Sequence, residues 1–431
     1  MMQESSEQLV TPLAPILGFK RTPTSSWFPE ARFILLCART SLSDAVRQRV
    51  RETALELLDW SLVLDLARFH GVGPLLWRSI SATCADLVPP AALTALRQVT
   101  QAGTLLNGAL VRETVRISRA FEERGLPAIP FKGAALAAVA YKDANLRDFD
   151  DLDFIVPQAR LAEAQDILTA HGYRPLSQSR ESFQAAHYHE PYHLYVHETS
   201  RLLVDLQWVM AHEQFSFRLD RPDIWDRRMS LSVEGGRIST IAPEELLIIL
   251  CVHGSKHAWE RLKWVVDVAA LIRAQSPDWD RVLSTANRWK CRRMVLLGLR
   301  QAQQMMNAEL PPAIWTAIRA DADVLDLAAR MPKSLLFNQQ DGIDEHDGPA
   351  LYYALKDTIL EQWRYALELC RDEHRVVYDA PEWLRHRRFL RQLARAIQPV
   401  RSWIVKLPLA KQARRGMARL TGRVGTADLR C

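Results

Sequence analysis

Between residues 126 and 156, a chain that otherwise repeats its apolar residues at helical spacing loses that rhythm, and this break constrains the fold more than any other feature. Leu126 to Phe131 is a short apolar run carrying two prolines. Lys132-Gly133 follows, then an alanine-rich stretch to Tyr141, a polar loop, and a second apolar run from Leu152 to Val156. The order predicted is strand, turn, helix, strand. A helix over Leu161 to Ala170, stopped at His171-Gly172, and two strands, His193 to His197 and Leu202 to Trp208, flanking Glu198-Thr199-Ser200, complete the unit. On either side the period is helical, as in Leu55, Leu58, Leu62, Leu66 and Phe69 before it, and Glu244 to His253, Trp264 to Ala274 and Trp289 to Met306 after it. The class expected is α+β, a small mixed sheet embedded between mainly helical N- and C-terminal regions.

At 431 residues the chain exceeds one ordinary core. The divisions expected are a disordered or extended N-terminus over 1–32, a helical region over 33–118, the sheet-bearing core over 119–240, a second helical region over 241–380 and a basic tail over 381–431. Nearly half the residues are apolar and a quarter charged, which excludes a disordered or fibrous chain. Six scattered cysteines form no pair at metal or disulfide-framework spacing, and a reducing compartment fits them. The opening Met1-Met2-Gln3-Glu4 carries neither a basic leader nor an apolar stretch, and Leu246 to Val252 is too short to cross a bilayer. A cytoplasmic location without a transmembrane segment is expected. Between Trp383 and Ala427 stand a dozen Lys and Arg and no acidic residue, so the tail is a candidate surface for nucleic acid or another anion, or a solvated helical tail whose charges pair elsewhere.

Asp151 and Asp153 lie two apart in an extended segment, which sets both carboxylates on one face while Leu152 and Phe154 turn to the core. Like charges this close are comfortable only with a cation between them, and hard oxygen donors suit Mg2+ or Mn2+. Lys132-Gly133 sits where a strand enters a helix: the glycine permits close backbone approach and the lysine adds positive charge for a phosphate. Arg147, just before the acidic strand, carries a fork of donors of the kind phosphate oxygens accept. The alternative is that Lys132 and Arg147 merely neutralise the acidic cluster, which includes Asp148 and Asp150. His187, His189, His193 and His197 invite a zinc reading, but strand residues four apart are separated by roughly 13 Å. His253 and His257 share a helical face without a third ligand; core packing is favoured for them, with Lys256 and His257 also placed to line a nucleotide pocket.

The run Phe131-Lys132-Gly133-Ala134-Ala135-Leu136, with Tyr141, Arg147 and Asp151-Leu152-Asp153-Phe154-Ile155-Val156, resembles the polymerase-β-like nucleotidyltransferase superfamily, in particular a bacterial branch of uncharacterised members in which Lys-Gly replaces Gly-Ser. Asp59-Trp60, His70-Gly71-Val72, and His253, His257, Arg261, Trp264 and Asp267 look like that branch's helical flanks. The resemblance implies a palm-like sheet and a third carboxylate on a later strand, at Asp205. It further implies Asp151, Asp153 and Asp205 holding two magnesium ions, a nucleoside triphosphate substrate bound by Lys132, Gly133, Arg147, Lys256 and His257, and transfer of a nucleoside monophosphate to an acceptor that is a small molecule, peptide, sugar or RNA. A nucleotide-binding module that has lost turnover is the competing reading. Gln207, where the family often has His, and Asp150, where a small residue is usual, depart from the pattern.

Overall fold

The computed structural model describes residues 28–176, 192–212, 215–337 and 348–371; the basic tail, His187 and His189 lie outside them. Five helices come first: α1 Pro29–Cys37, α2 Asp44–Ala54, α3 Trp60–His70, α4 Gly73–Thr83 and α5 Pro90–Glu123. The Asp59 carboxylate accepts from the Leu62 N–H at 3.1 Å and starts α3, while Gly71, at φ +63°, ends it. The sheet-bearing unit follows. Its elements are β1 Ile129–Pro130, α6 Gly133–Leu136, β2 Asp151–Ile155, α7 Leu161–Ala170, β3 Tyr173–Pro175, β4 Tyr192–His197 and β5 Leu203–Gln207. Two ribbons, β6 Val209–His212 with β7 Phe215–Arg218 and β8 Met229–Val233 with β9 Gly236–Thr240, bracket the short helix α8 Pro222–Asp226. The rest is helical: α9 Pro243–Lys256, α10 Leu262–Gln275, α11 Trp279–Arg288, α12 Arg292–Met306, α13 Pro312–Arg319, α14 Ala322–Phe337, α15 Gly348–Ala354 and α16 Ile359–Arg371.

The sheet is mixed, in the order β1-β2-β5-β4-β3, with β2 and β5 parallel and the other pairs antiparallel. The protein is therefore α+β. Three local departures from expectation have simple causes. Strand β1 spans two residues, one of them Pro130, which has no N–H to give the ladder, although the Phe131 N–H beyond it still donates to the Asp153 carbonyl at 3.3 Å. The alanine-rich helix is α-helical for one turn and continues as a π-helical turn over Ala137–Tyr141. The helix expected from Trp289 starts instead at Arg292, because Lys290 takes φ +58° and separates α11 from α12.

One face of the sheet gives Leu152, Phe154, Val204 and Leu206 to a core shared with Leu110, Ile117 and Phe121 of α5 and Ile167 and Leu168 of α7. Phe121 meets Phe154 edge to face at 5.5 Å. Alternation then forces Asp151 and Asp153 onto the opposite face. There, Ile129, Phe131 and Ile155 join a second core that runs through α1–α4 and α9–α14, so both helical flanks pack against the side of the sheet that carries the carboxylates.

Candidate active site

Parallel pairing of β2 with β5 makes Asp153 and Asp205 direct cross-strand partners, and Asp151 precedes Asp153 on the same face. The carboxylate of Asp153, 5% exposed, accepts from Lys132 Nζ at 3.0 Å. Its Oδ1 also accepts from Gln207 Nε2 at 2.7 Å, and the same amide donates to Asp205 Oδ2 at 2.6 Å. Gln207, marked in the sequence only as a departure, thus ties the two acids together with its two amide protons. Asp205 Oδ1 is buried with no hydrogen-bond partner among the described residues.

The electrostatics follow from this crowding. Burial, then the neighbouring charge of Asp153, raises the Asp205 carboxyl well above the ordinary carboxylate range. At Asp151 the Asp153 charge is the larger cause and burial the second, again upward. Burial pulls the Lys132 ammonium down, but the charges of Asp153 and Asp151 together carry it above its ordinary value. Among the described residues no three carboxylates, imidazoles or thiols converge into a ready metal cage. The Lys132 ammonium and the Gln207 amide lie on the oxygens that would otherwise face one another.

Gly133 is required where it stands: its φ is +47°, and a Cβ there would lie 3.2 Å from the Asp151 carbonyl oxygen and 3.4 Å from the Phe149 ring. The turn is pressed against the first residue of the acidic strand. Asp150 is exposed at the entry to that strand, where its charge adds to the upward push on Asp151.

Arg147 differs from expectation. Its Nε and Nη2 donate to the two oxygens of Asp267 in α10, at 2.8 and 3.0 Å, and Tyr141 Oη donates to the same carboxylate at 2.6 Å. All of this is buried, and Asn107 of α5 donates to the Arg147 carbonyl at 2.9 Å. The guanidinium suggested for phosphate oxygens instead holds α10 against the lead-in to β2, because a buried carboxylate needs the paired, bidentate partner that Arg147 supplies.

Lys256 and His257 stand at the end of α9. The His257 ring stacks on Trp264 at 5.0 Å and meets the His253 edge at 4.9 Å. Burial, with the Lys132 charge next in weight, drives the His253 pKa well below its ordinary value. The corner between α9 and α10 is pinned by Trp259, fully buried, with its ring in a slot where a Cβ on Gly254 would stand 2.5 Å away and one on Gly298 2.9 Å away. Lys263 stands in the first turn of α10, where a cation runs against the helix dipole.

No described helix is long and apolar enough to cross a membrane. No curated protein matches the chain. Among solved structures, that of ANT(2'')-Ia in complex with adenylyl-2''-tobramycin aligns at 16% identity over 42% of this chain and 97% of its own, with a TM-score of 0.31. The solution structure of the antibiotic-resistance factor ANT(2'')-Ia aligns at 18% over 42% and 92%, also with a TM-score of 0.31. An antigenic nucleotidyltransferase-like protein from Paracoccidioides brasiliensis aligns at 16% over 54% and 97%, with a TM-score of 0.28. A sequence family described as uncharacterised nucleotidyltransferase matches residues 56–307, a span that takes in α3 through α12 and every residue of the carboxylate centre. With more than half its length matched, the chain belongs to that nucleotidyltransferase family.

Proposed function

We propose that the protein transfers a nucleoside monophosphate from a nucleoside triphosphate to the hydroxyl of an acceptor, with Asp151, Asp153 and Asp205 as its carboxylate centre and Mg2+ or Mn2+ as its metal. The observation that carries this reading is Asp205: a strand register that sets it beside Asp153, and a buried oxygen left without a partner. The residues fit the metal. Mg2+ needs only one or two protein carboxylates and completes its shell with water and substrate phosphate, so adjacent Asp153 and Asp205 suffice, with Asp151 extending the set. Two such ions would neutralise triphosphate charge and make the acceptor hydroxyl more acidic.

The chain's own groups do the rest. Lys132 supplies positive charge to phosphate oxygens at the mouth of the carboxylate strand, and Gly133 lets the backbone come close to them. Lys256 and His257 border the nucleotide from α9. Asp205 takes the acceptor's proton as the hydroxyl oxygen bonds to the α-phosphorus and the bond to pyrophosphate breaks.

The test is to incubate the protein with labelled nucleoside triphosphates, Mg2+ and a host-cell extract. Release of pyrophosphate together with label in an acceptor is expected, and Asp153→Asn should abolish both. Nuclease, protease or glycosidase treatment of the labelled product then identifies RNA, peptide or sugar. A wild-type protein that binds nucleotide yet releases no pyrophosphate with any extract fraction would leave only a nucleotide-binding module.

A further inference from the structure

Three successive residues at the end of α3 hold three successive residues at the start of α10. The Phe69 carbonyl accepts from Arg261 Nη1 at 3.1 Å, and the Arg261 guanidinium lies 5.2 Å over the Phe69 ring. His70 Nδ1 accepts the Leu262 N–H at 3.3 Å, which satisfies one of the orphan donors of the α10 N-terminus. Gly71 leaves room for the stem of Lys263, whose Cδ stands 2.7 Å from where a Cβ on Gly71 would be. Any side chain at residue 71 would push the lysine aside, and φ +63° there already selects glycine.

The ammonium so placed is unusual among the cations of this region. Lys132 is taken by Asp153 and Arg147 by Asp267. Lys263 is half-buried, yet no carboxylate among the described residues lies within ion-pair distance of it, although it sits in the field of Asp148, Asp150 and Asp151. Burial, then the nearby Arg147 charge, lowers its pKa. Removing an ammonium from water without a partner is costly, and the dipole of α10 opposes it further. The acids whose field it feels offset part of that cost, and a ligand bringing negative charge within hydrogen-bond reach would offset the rest.

We infer that Lys263, seated on Gly71 by the Phe69-His70-Gly71 terminus of α3, binds the polyphosphate of the nucleotide from the α10 side of the carboxylate strand, the task the sequence suggested for Arg147. This rests on the nucleotidyl-transfer reading of the carboxylate centre. It gives the N-terminal helices a part in the site, since α3 sets the aim of a residue almost two hundred positions later.

The experiment is calorimetric titration of the full-length protein, in Mg2+, with inorganic tripolyphosphate and with each of the four common nucleoside triphosphates. It compares wild type, Lys263→Met and Lys263→Arg. Loss of one charged hydrogen bond should weaken tripolyphosphate binding by about 10- to 100-fold in Lys263→Met, and Lys263→Arg should recover most of it. The urea midpoint of Lys263→Met should stay level or rise, because an unpaired buried charge has gone. Unchanged affinity in Lys263→Met, or lost affinity that tracks a lowered midpoint and is not recovered by Lys263→Arg, overturns the inference and leaves the carboxylate centre standing. A wild type that binds neither tripolyphosphate nor any nucleotide overturns both.

Discussion

Replacing Arg147 by Met separates a structural guanidinium from a phosphate-binding one. Asp267 is 1% exposed and Arg147 7%, and two hydrogen bonds at 2.8 and 3.0 Å join them. Without the arginine, the Asp267 carboxylate keeps, among the described residues, the Tyr141 hydroxyl as its hydrogen-bond donor. A buried charge deprived of its partner costs about 3–5 kcal/mol, and Asp267→Asn, which strands the guanidinium instead, should cost a similar amount. The double variant removes both charges, so its loss should fall well short of the two single losses combined, by about 2–4 kcal/mol of coupling. Urea unfolding followed by tryptophan fluorescence gives all three values. Tripolyphosphate affinity of the folded single variants should change little. If Arg147→Met costs less than about 1 kcal/mol, or if the double variant loses the sum of the two, the ion pair does not hold α10 in place. If stability holds while phosphate affinity collapses, the guanidinium serves ligand after all.

Four further outcomes follow from the same geometry. Burial pushes the His70 pKa down to about 3. The unfolded chain therefore takes up this proton first, and stability is lost as pH falls from about 6.5, by about 2 kcal/mol at pH 5; His70→Gln, compared with wild type in urea melts from pH 7 to pH 5, should flatten that slope. Asp205→Asn should abolish pyrophosphate release while the urea midpoint stays level or rises, since a buried carboxyl group crowded by Asp153 and Asp151 is removed. Gly133→Ala should cost about 1–2 kcal/mol from strain at positive φ and should lower turnover by displacing the Asp151 backbone, checked by melting and by pyrophosphate release. Trp259→Ala should cost about 3–5 kcal/mol by emptying the slot between Gly254 and Gly298, and it should also weaken tripolyphosphate binding because the α9–α10 corner loses its anchor.

The acidic strand was legible in the sequence because its signals are local. Period-two alternation sends Leu152 and Phe154 one way and Asp151 and Asp153 the other, whatever surrounds them. The helix over Leu161–Ala170 is found where its periodicity and His171-Gly172 stop placed it. The pairing of Asp153 with Asp205 is a different kind of fact. It depends on a parallel register across 52 residues of chain, and no spacing rule reaches that far. Resemblance pointed to Asp205, and the register sets that residue beside Asp153. Arg147 shows the opposite limit. A guanidinium before an acidic strand suits phosphate or a buried carboxylate equally well, and the choice is made by Asp267, 120 residues later.

Each cation near the carboxylates is assigned by a partner from a different part of the chain: Lys132 by Asp153 on β2, Arg147 by Asp267 on α10, and the seat of Lys263 by Gly71 at the end of α3. Charges of one sign placed side by side repel, so these three cations and the acids around them, Asp148, Asp150, Asp151, Asp153, Asp205 and Asp267, are stable only in a particular pairing. The helical flanks supply the partner of Arg147 and the seat of Lys263. They share a core with the carboxylate face of the sheet, and a loosened flank would release Arg147 and Lys263 to compete for the same acids. A sheet excised from its flanks should therefore lose the arrangement of its site even where its strands still pair.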